Sequence, residues 1–324
     1  CQLGSGCKFL ELGARGGLGA LLTVASSGRA SGQAPRGLPT MDELAALAEA
    51  TEVLSSPDAS AEDRGAAERA FDPLKTAGSV DGFGEVLHAA ADGDNEMLLF
   101  HTATALKDAV SQQSPGIGSD DVLEAVRLQL LEYLADHAGL FRPAREQLLA
   151  CVAVLLKREW ALSPDAAGRG LADTAEVLLK ADEPGVHLLG LSLLQSVLSE
   201  FSSNSRSTAT GMTLEMHMVV KNSFERTQLK HLLRAAVDAF REIVEGGDIS
   251  RETLLSAQIP REAMHIVQTA VELAESVLSW QFSTHRSRRM IGSFDTEASI
   301  YFRGDASWQH SLLPDVVATF YGAY

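Results

Sequence analysis

Thiols, imidazoles and carboxylates carry most side-chain chemistry, and here each is sparse or out of pattern. The three cysteines are Cys1, Cys7 and Cys151. Their spacing suggests neither a zinc site nor a disulfide framework. Cys151 falls in an apolar run, which predicts a buried and inert thiol. The nine histidines are scattered, with no helical pair followed by a carboxylate of the kind a metal site needs. No serine, histidine and aspartate set carries a nucleophile motif, and no carboxylate pair has a spacing that asks for acid–base work. Gly17-Leu18-Gly19 follows no strand, so it is a poor phosphate loop. These residues predict a protein that is not an enzyme and needs no metal or cofactor.

The bulk composition narrows the partners. Of 324 residues, 45% are hydrophobic, enough to build a core, and the formal net charge is −16. An acidic surface repels a phosphate backbone, so nucleic acid is disfavoured and basic protein partners are favoured. No apolar run reaches the roughly 20 residues that span a bilayer. Residues 1–40 stand apart: they are rich in Gly, Ser and Ala, with Lys8, Arg15, Arg29 and Arg36 against the single acid Glu11. Such a segment resembles an organelle transit peptide, but a disordered or non-native tail of translated upstream sequence is the favoured reading of 1–40. Met41 opens the first good helix and is a candidate start.

The elements that must position any site are helices. Ala, Leu, Glu and Arg dominate the long segments, and strand-type clusters are rare. Helices are predicted over 42–54, 61–75, 79–91, 95–112, 120–137, 143–160, 165–180, 184–201, 214–225, 228–245 and 260–280. A last one starts at 308. Ser60 and Ser119 are plausible N-caps, and Pro143, Pro164 and Pro184 sit at first turns. Gly82 and Gly84 predict a short or bent helix over 79–91. The first helices of successive pairs start near 42, 79, 119 and 165. Intervals of that size fit two-helix HEAT or armadillo repeats of about 40–47 residues. The expected fold is therefore all-α: an α-solenoid of HEAT/armadillo-like helix pairs in a right-handed superhelical array, spanning 41–324. Such arrays need polar closing repeats. The chain runs to Tyr324 without one, which predicts a longer protein.

Several stretches resemble one family. Arg64-Gly65-Ala66-Ala67-Glu68-Arg69-Ala70-Phe71 and Leu99-Phe100-His101-Thr102-Ala103-Thr104-Ala105-Leu106-Lys107 are similar to signatures of the importin-β N-terminal domain. Three further stretches resemble its exportin branch. They are Arg145-Glu146-Gln147-Leu148-Leu149-Ala150-Cys151-Val152-Ala153-Val154-Leu155-Leu156-Lys157-Arg158, then Leu198-Ser199-Glu200-Phe201-Ser202-Ser203 with Met212-Thr213-Leu214-Glu215-Met216-His217, and Val277-Leu278-Ser279-Trp280-Gln281-Phe282 with Ser307-Trp308 and Leu312-Leu313. The resemblance covers about 42–321, and the loops at 161–170 and 246–258 match poorly.

The resemblance implies a receptor that shuttles between nucleus and cytoplasm through the nuclear pore. Its implied partners are Ran in the GTP form, protein cargo such as the hypusine-containing translation factor, and Phe-Gly proteins of the pore. The implied Ran surface lies on the second helices of the early repeats. There the polar candidates are Asn95, Glu96, His101, Lys107 and Asp108, followed by Arg145, Glu146, Lys157 and Arg158. First helices of the pairs would form the Phe-Gly grooves, and Trp160, Trp280 and Trp308 are expected as core anchors or repeat junctions. A HEAT-type interaction scaffold without Ran dependence is the alternative that the periodicity alone supports equally.

Overall fold

The computed structural model describes residues 40–76, 80–113, 120, 122–202, 212–246, 260–280, 314 and 318–320. The expectations for 1–39, 203–211 and 281–305, and for most of 308–321, fall outside them, as does the cap expected at Ser119. Among the described residues every regular element is a helix, so the fold is all-α. None of these helices is long and apolar enough to cross a membrane. The chain divides into two compact units. Among the described residues the first holds 40–159 with 212–213, and the second holds 160–202 and those from 214 onward.

In the first unit α1 spans Met41–Ser55. Thr40 and Glu43 close a capping box: the Glu43 amide donates to Thr40 Oγ1 at 3.2 Å, and the Thr40 amide donates to Glu43 Oε2 at 2.7 Å. Two of the amides that a helix start leaves open are thereby satisfied. The helix expected over 61–75 is two helices, α2 (Ala61–Arg69) and α3 (Asp72–Thr76). Pro73 is the reason, since it has no amide proton to continue the ladder and its ring crowds the preceding turn. The next helix, α4, spans Val80–Asp92 and runs through both glycines. Phe83, Val86, Leu87 and Ala90 form a buried i, i+3, i+4, i+7 stripe. Burial contributes about 1.5–3 kcal/mol for each large side chain, against about 1 kcal/mol lost per glycine. The stripe wins.

Then α5 spans Glu96–Ser111 and packs against α1, α3 and α4. Its buried face includes Leu98, Leu99, Thr102, Leu106 and Val110. The unit continues with α6, Leu123–Asp136, and α7, Arg142–Leu162; the boundary between units falls inside α7. Tyr133 of α6 donates its hydroxyl proton to the Leu87 carbonyl of α4 at 3.1 Å.

The second unit holds α8 (Pro164–Leu179), α9 (Pro184–Phe201), α10 (Leu214–Thr227), α11 (Leu229–Gly246) and α12 (Arg261–Leu278). Close approach of α8 and α9 requires Gly190. A Cβ there would stand 3.0 Å from Leu178 Cβ and 3.1 Å from Leu179 Cδ2. α9 is the hub, in contact with α8, α10, α11 and α12. α12 lies against both α9 and α11. A stack in which each pair meets only its neighbours would not bring α12 to α9.

Candidate functional site

The candidate side chains of α5 do different jobs. Asn95 is the N-cap, its Oδ1 accepting from the Leu98 amide at 3.0 Å. Glu96 is exposed in the first turn, where a negative charge suits the helix dipole. His101 is half-buried beside Phe71 and Phe100, with ring centroids 6.4 and 5.3 Å away. Its Nε2 is buried without a hydrogen-bond partner. Burial holds its pKa below the ordinary histidine value, while Glu68 pulls the other way. Lys107 donates to Gln147 Oε1 of α7 at 3.0 Å, and the neighbouring Asp108 is exposed. Of the sequence-derived set, therefore, Lys107 is joined to the 145–147 segment, and Asn95 and Glu96 lie together at the other end of α5.

On α7, Glu146 is exposed and accepts from Arg142 Nε at 2.7 Å. Arg145 donates to the Ala138 carbonyl at 3.3 Å. Burial, with the neighbouring Arg142 charge, lowers the Arg145 pKa, against the pull of Glu146.

Lys157 and Arg158 are not on the surface expected for them. Lys157 is fully buried and Arg158 is 5% exposed. Arg158 donates to Asp120 Oδ1 at 2.8 Å and reaches the Val110 carbonyl at the end of α5. The physical reason lies in α7 itself. Leu148, Leu149, Cys151, Val152, Leu155 and Leu156 bury several sides of the helix, so its later turns have little solvent-facing surface. A charge survives there only if paired and hydrogen-bonded. Cys151 sits in the same interior, and burial pushes its thiol up to about 12. It is therefore no nucleophile at neutral pH.

Beside these lies an enclosed ion pair that the sequence did not reveal. Arg127 of α6 donates to Glu159 Oε1 of α7 at 2.7 Å, with the two side chains 4% and 13% exposed. Burial raises the Glu159 carboxyl, and the Arg127 bond pulls it back down. A sequence offers no local signal for a pair 32 residues apart.

At the other end of α5 a cleft of about 320 Å³ opens between the α4–α5 turn and the α6–α7 turn. Asn95 and Glu96 line it with Asp94, His137, Leu140 and Phe141. His137 stacks on Tyr133 with centroids 4.3 Å apart, and His88 meets Tyr133 edge-on at 4.9 Å. The Tyr133 pKa lies above the ordinary phenol range, through burial first and the Asp92 charge second. Tyr133 is thus a neutral donor that joins α6 to α4.

In the second unit, Trp160 and Trp280 are buried anchors, as expected for core residues. Trp160 Nε1 donates to Ser223 Oγ at 3.1 Å, and Trp280 Nε1 to Glu225 Oε1 at 3.0 Å. Lys221 and Glu225, both buried, stand 3.7 Å apart, and the Lys221 ammonium lies 5.0 Å from the Trp280 ring centre. Trp308 lies outside the described residues.

Among the described residues no cluster of three or more His, Cys, Asp or Glu is placed to hold a metal ion. Among the described residues the geometry is all-α, with packed helix pairs, a surface cleft and buried charges held by partners. No protein-family model matches the chain.

Proposed function

We propose that this chain is part of a nuclear export receptor of the importin-β superfamily, binding Ran in its GTP form and helping to carry protein cargo through the nuclear pore. The observation that carries the reading is the set of exportin-like stretches at 145–158, at 198–203 with 212–217, and at 277–282 with 307–308 and 312–313. Within the exportins they fit exportin four best. Exportin seven comes next and is poorer over Ser199-Glu200-Phe201-Ser202-Ser203. Helix pairs of the observed length support the reading, since the family's HEAT-type solenoid is built from such pairs. A solenoid of this kind would have to accommodate the contact between α12 and α9.

The direct Ran contacts would then come from exposed Glu96, Asp108 and Glu146 and from the partly exposed Asn95, His101, Lys107 and Arg145. Lys157 and Arg158 would act by fixing α7. An acidic receptor suits a basic cargo such as the hypusine-containing translation factor. Ran and cargo would each tighten the binding of the other, because a coupling free energy between two sites is reciprocal. Shuttling between nucleus and cytoplasm follows from the same reading.

The test is a pull-down of the chain, and of a longer chain carrying further repeats, with Ran locked in its GTP or GDP form. Capture by the GTP form alone is expected, and Lys107→Glu should weaken it. Capture by the longer chain that ignores the nucleotide, or no capture at all, would sink the transport reading. It would leave a HEAT-type interaction scaffold.

A further inference from the structure

We propose that the cleft between the α4–α5 and α6–α7 turns is a docking site for a short basic and apolar segment of a partner protein. Its rim carries the exposed carboxylates of Asp94 and Glu96. Among the described residues neither is in an ion pair. The nearby arginines are committed elsewhere, Arg142 to Glu146 and Arg145 to the Ala138 carbonyl, and the lining imidazole of His137 stacks on Tyr133 with its Nδ1 against the Tyr133 carbonyl. The open amides at the start of α5 would otherwise attract an anion. Here Asn95 already caps Leu98, and Glu96 occupies the first turn. A phosphate or carboxylate ligand would meet two negative charges and a filled cap.

The lining is not acidic throughout. Leu99, Leu140 and Phe141 supply apolar wall, so a purely polar cation would leave it uncovered. The chemistry that satisfies both is a lysine or arginine next to a leucine- or phenylalanine-like side chain. A volume of about 320 Å³ is at the small end of ligand sites, enough for one or two side chains and too small for a folded element. The inference needs neither Ran nor GTP, so it stands or falls apart from the transport reading.

The probe is a fluorescein-labelled peptide in which Lys and Arg alternate with Leu and Phe, followed by anisotropy. Its counterpart replaces every base with Glu. Two variants attack the cleft independently. Asp94→Asn with Glu96→Gln removes the charge from exposed positions. Gly139→Phe fills the space: Gly139 lines the cleft, a Cβ there meets nothing within 4 Å, and its φ is not in the left-handed region. Circular dichroism checks that both remain folded. The parent chain should bind the basic peptide and not the acidic one, and each variant should bind it about tenfold more weakly. Neutralising Asp165, an exposed carboxylate of α8 that does not line the cleft, should change nothing. Equal binding of the acidic peptide, no binding of the basic one, parental affinity in either variant, or an equal loss from Asp165→Asn would overturn the proposal.

Discussion

Between α6 and α7 the crossing is made by an arginine and a glutamate, whereas α9, α10 and the end of α12 meet through rings. Arg127–Glu159 is an enclosed pair of the first unit, while the buried Arg158 reaches out to the mostly exposed carboxylate of Asp120. In the second unit Phe224 lies 4.3 Å from Phe201, 5.6 Å from Trp160 and 6.0 Å from Trp280, centroid to centroid. The second unit has a buried charge pair of its own, Lys221 and Glu225, but a tryptophan ring covers the one and an indole N–H bonds the other. The two kinds of crossing have different energetics. Rings gain by dehydration and by their edge and face geometry. Buried ion pairs gain little net energy, because desolvation offsets attraction, yet they are costly to break. The Arg127–Glu159 pair therefore fixes which faces of α6 and α7 meet more than it stabilises the fold.

That contrast can be broken experimentally, starting with the largest effect. Phe224→Ala empties the ring cluster and should cost about 3–5 kcal/mol, measured by urea denaturation with circular dichroism. Glu159→Ala strands Arg127 and should cost about 3 kcal/mol, while replacing both partners with Leu and Met should restore most of it. If the double replacement is as damaging as the single one, the pair stabilises the unit outright and the comparison is wrong.

Acid should act next. His187 is buried on α9 with an unpartnered Nε2, and burial lowers its pKa against the pull of Glu242. The unfolded chain takes up that proton near pH 6.5, while the folded chain resists it. Stability is thus intact above about pH 6.5 and falls as pH drops below it. Denaturation midpoints from pH 7.5 down to 5.5 should show this fall, and His187→Gln should make it shallower, leaving the share of His101, whose pKa burial also lowers. The smallest effect belongs to Asp120→Asn. Its carboxylate is 59% exposed although Arg158 is buried, so the loss should be under about 1 kcal/mol.

Much of the helix map was legible because helix ends are set by local chemistry. Ser60 caps where the sequence places a cap, and Pro184 opens α9 as expected. One local reading failed: Pro73 split the helix predicted over 61–75, whereas the helix predicted over 79–91 is present as α4, its buried stripe carrying it through Gly82 and Gly84. The candidate surface was less legible. Asn95 was counted among the contact residues, although it stands immediately before a helical stripe, and a cap is the simpler role for it. Lys157 and Arg158 looked like surface charge because a buried cation needs a partner, and Asp120, the partner of Arg158, lies 38 residues away. No periodicity reports such a pairing.

The placement of the rings has an optical consequence. The three tryptophans stand at 160, 280 and 308, so the stretch 40–159 has none. Two of their indoles are buried in the second unit, each donating to a named oxygen. Trp160 and Trp280 thus label the second unit, and tryptophan emission, excited apart from Tyr133 and the other tyrosines, carries no reporter from the stretch 40–159. A peptide held in the cleft beside Glu96 should leave the emission maximum where it was. A wavelength shift on docking would mean that the disturbance had crossed the boundary inside α7.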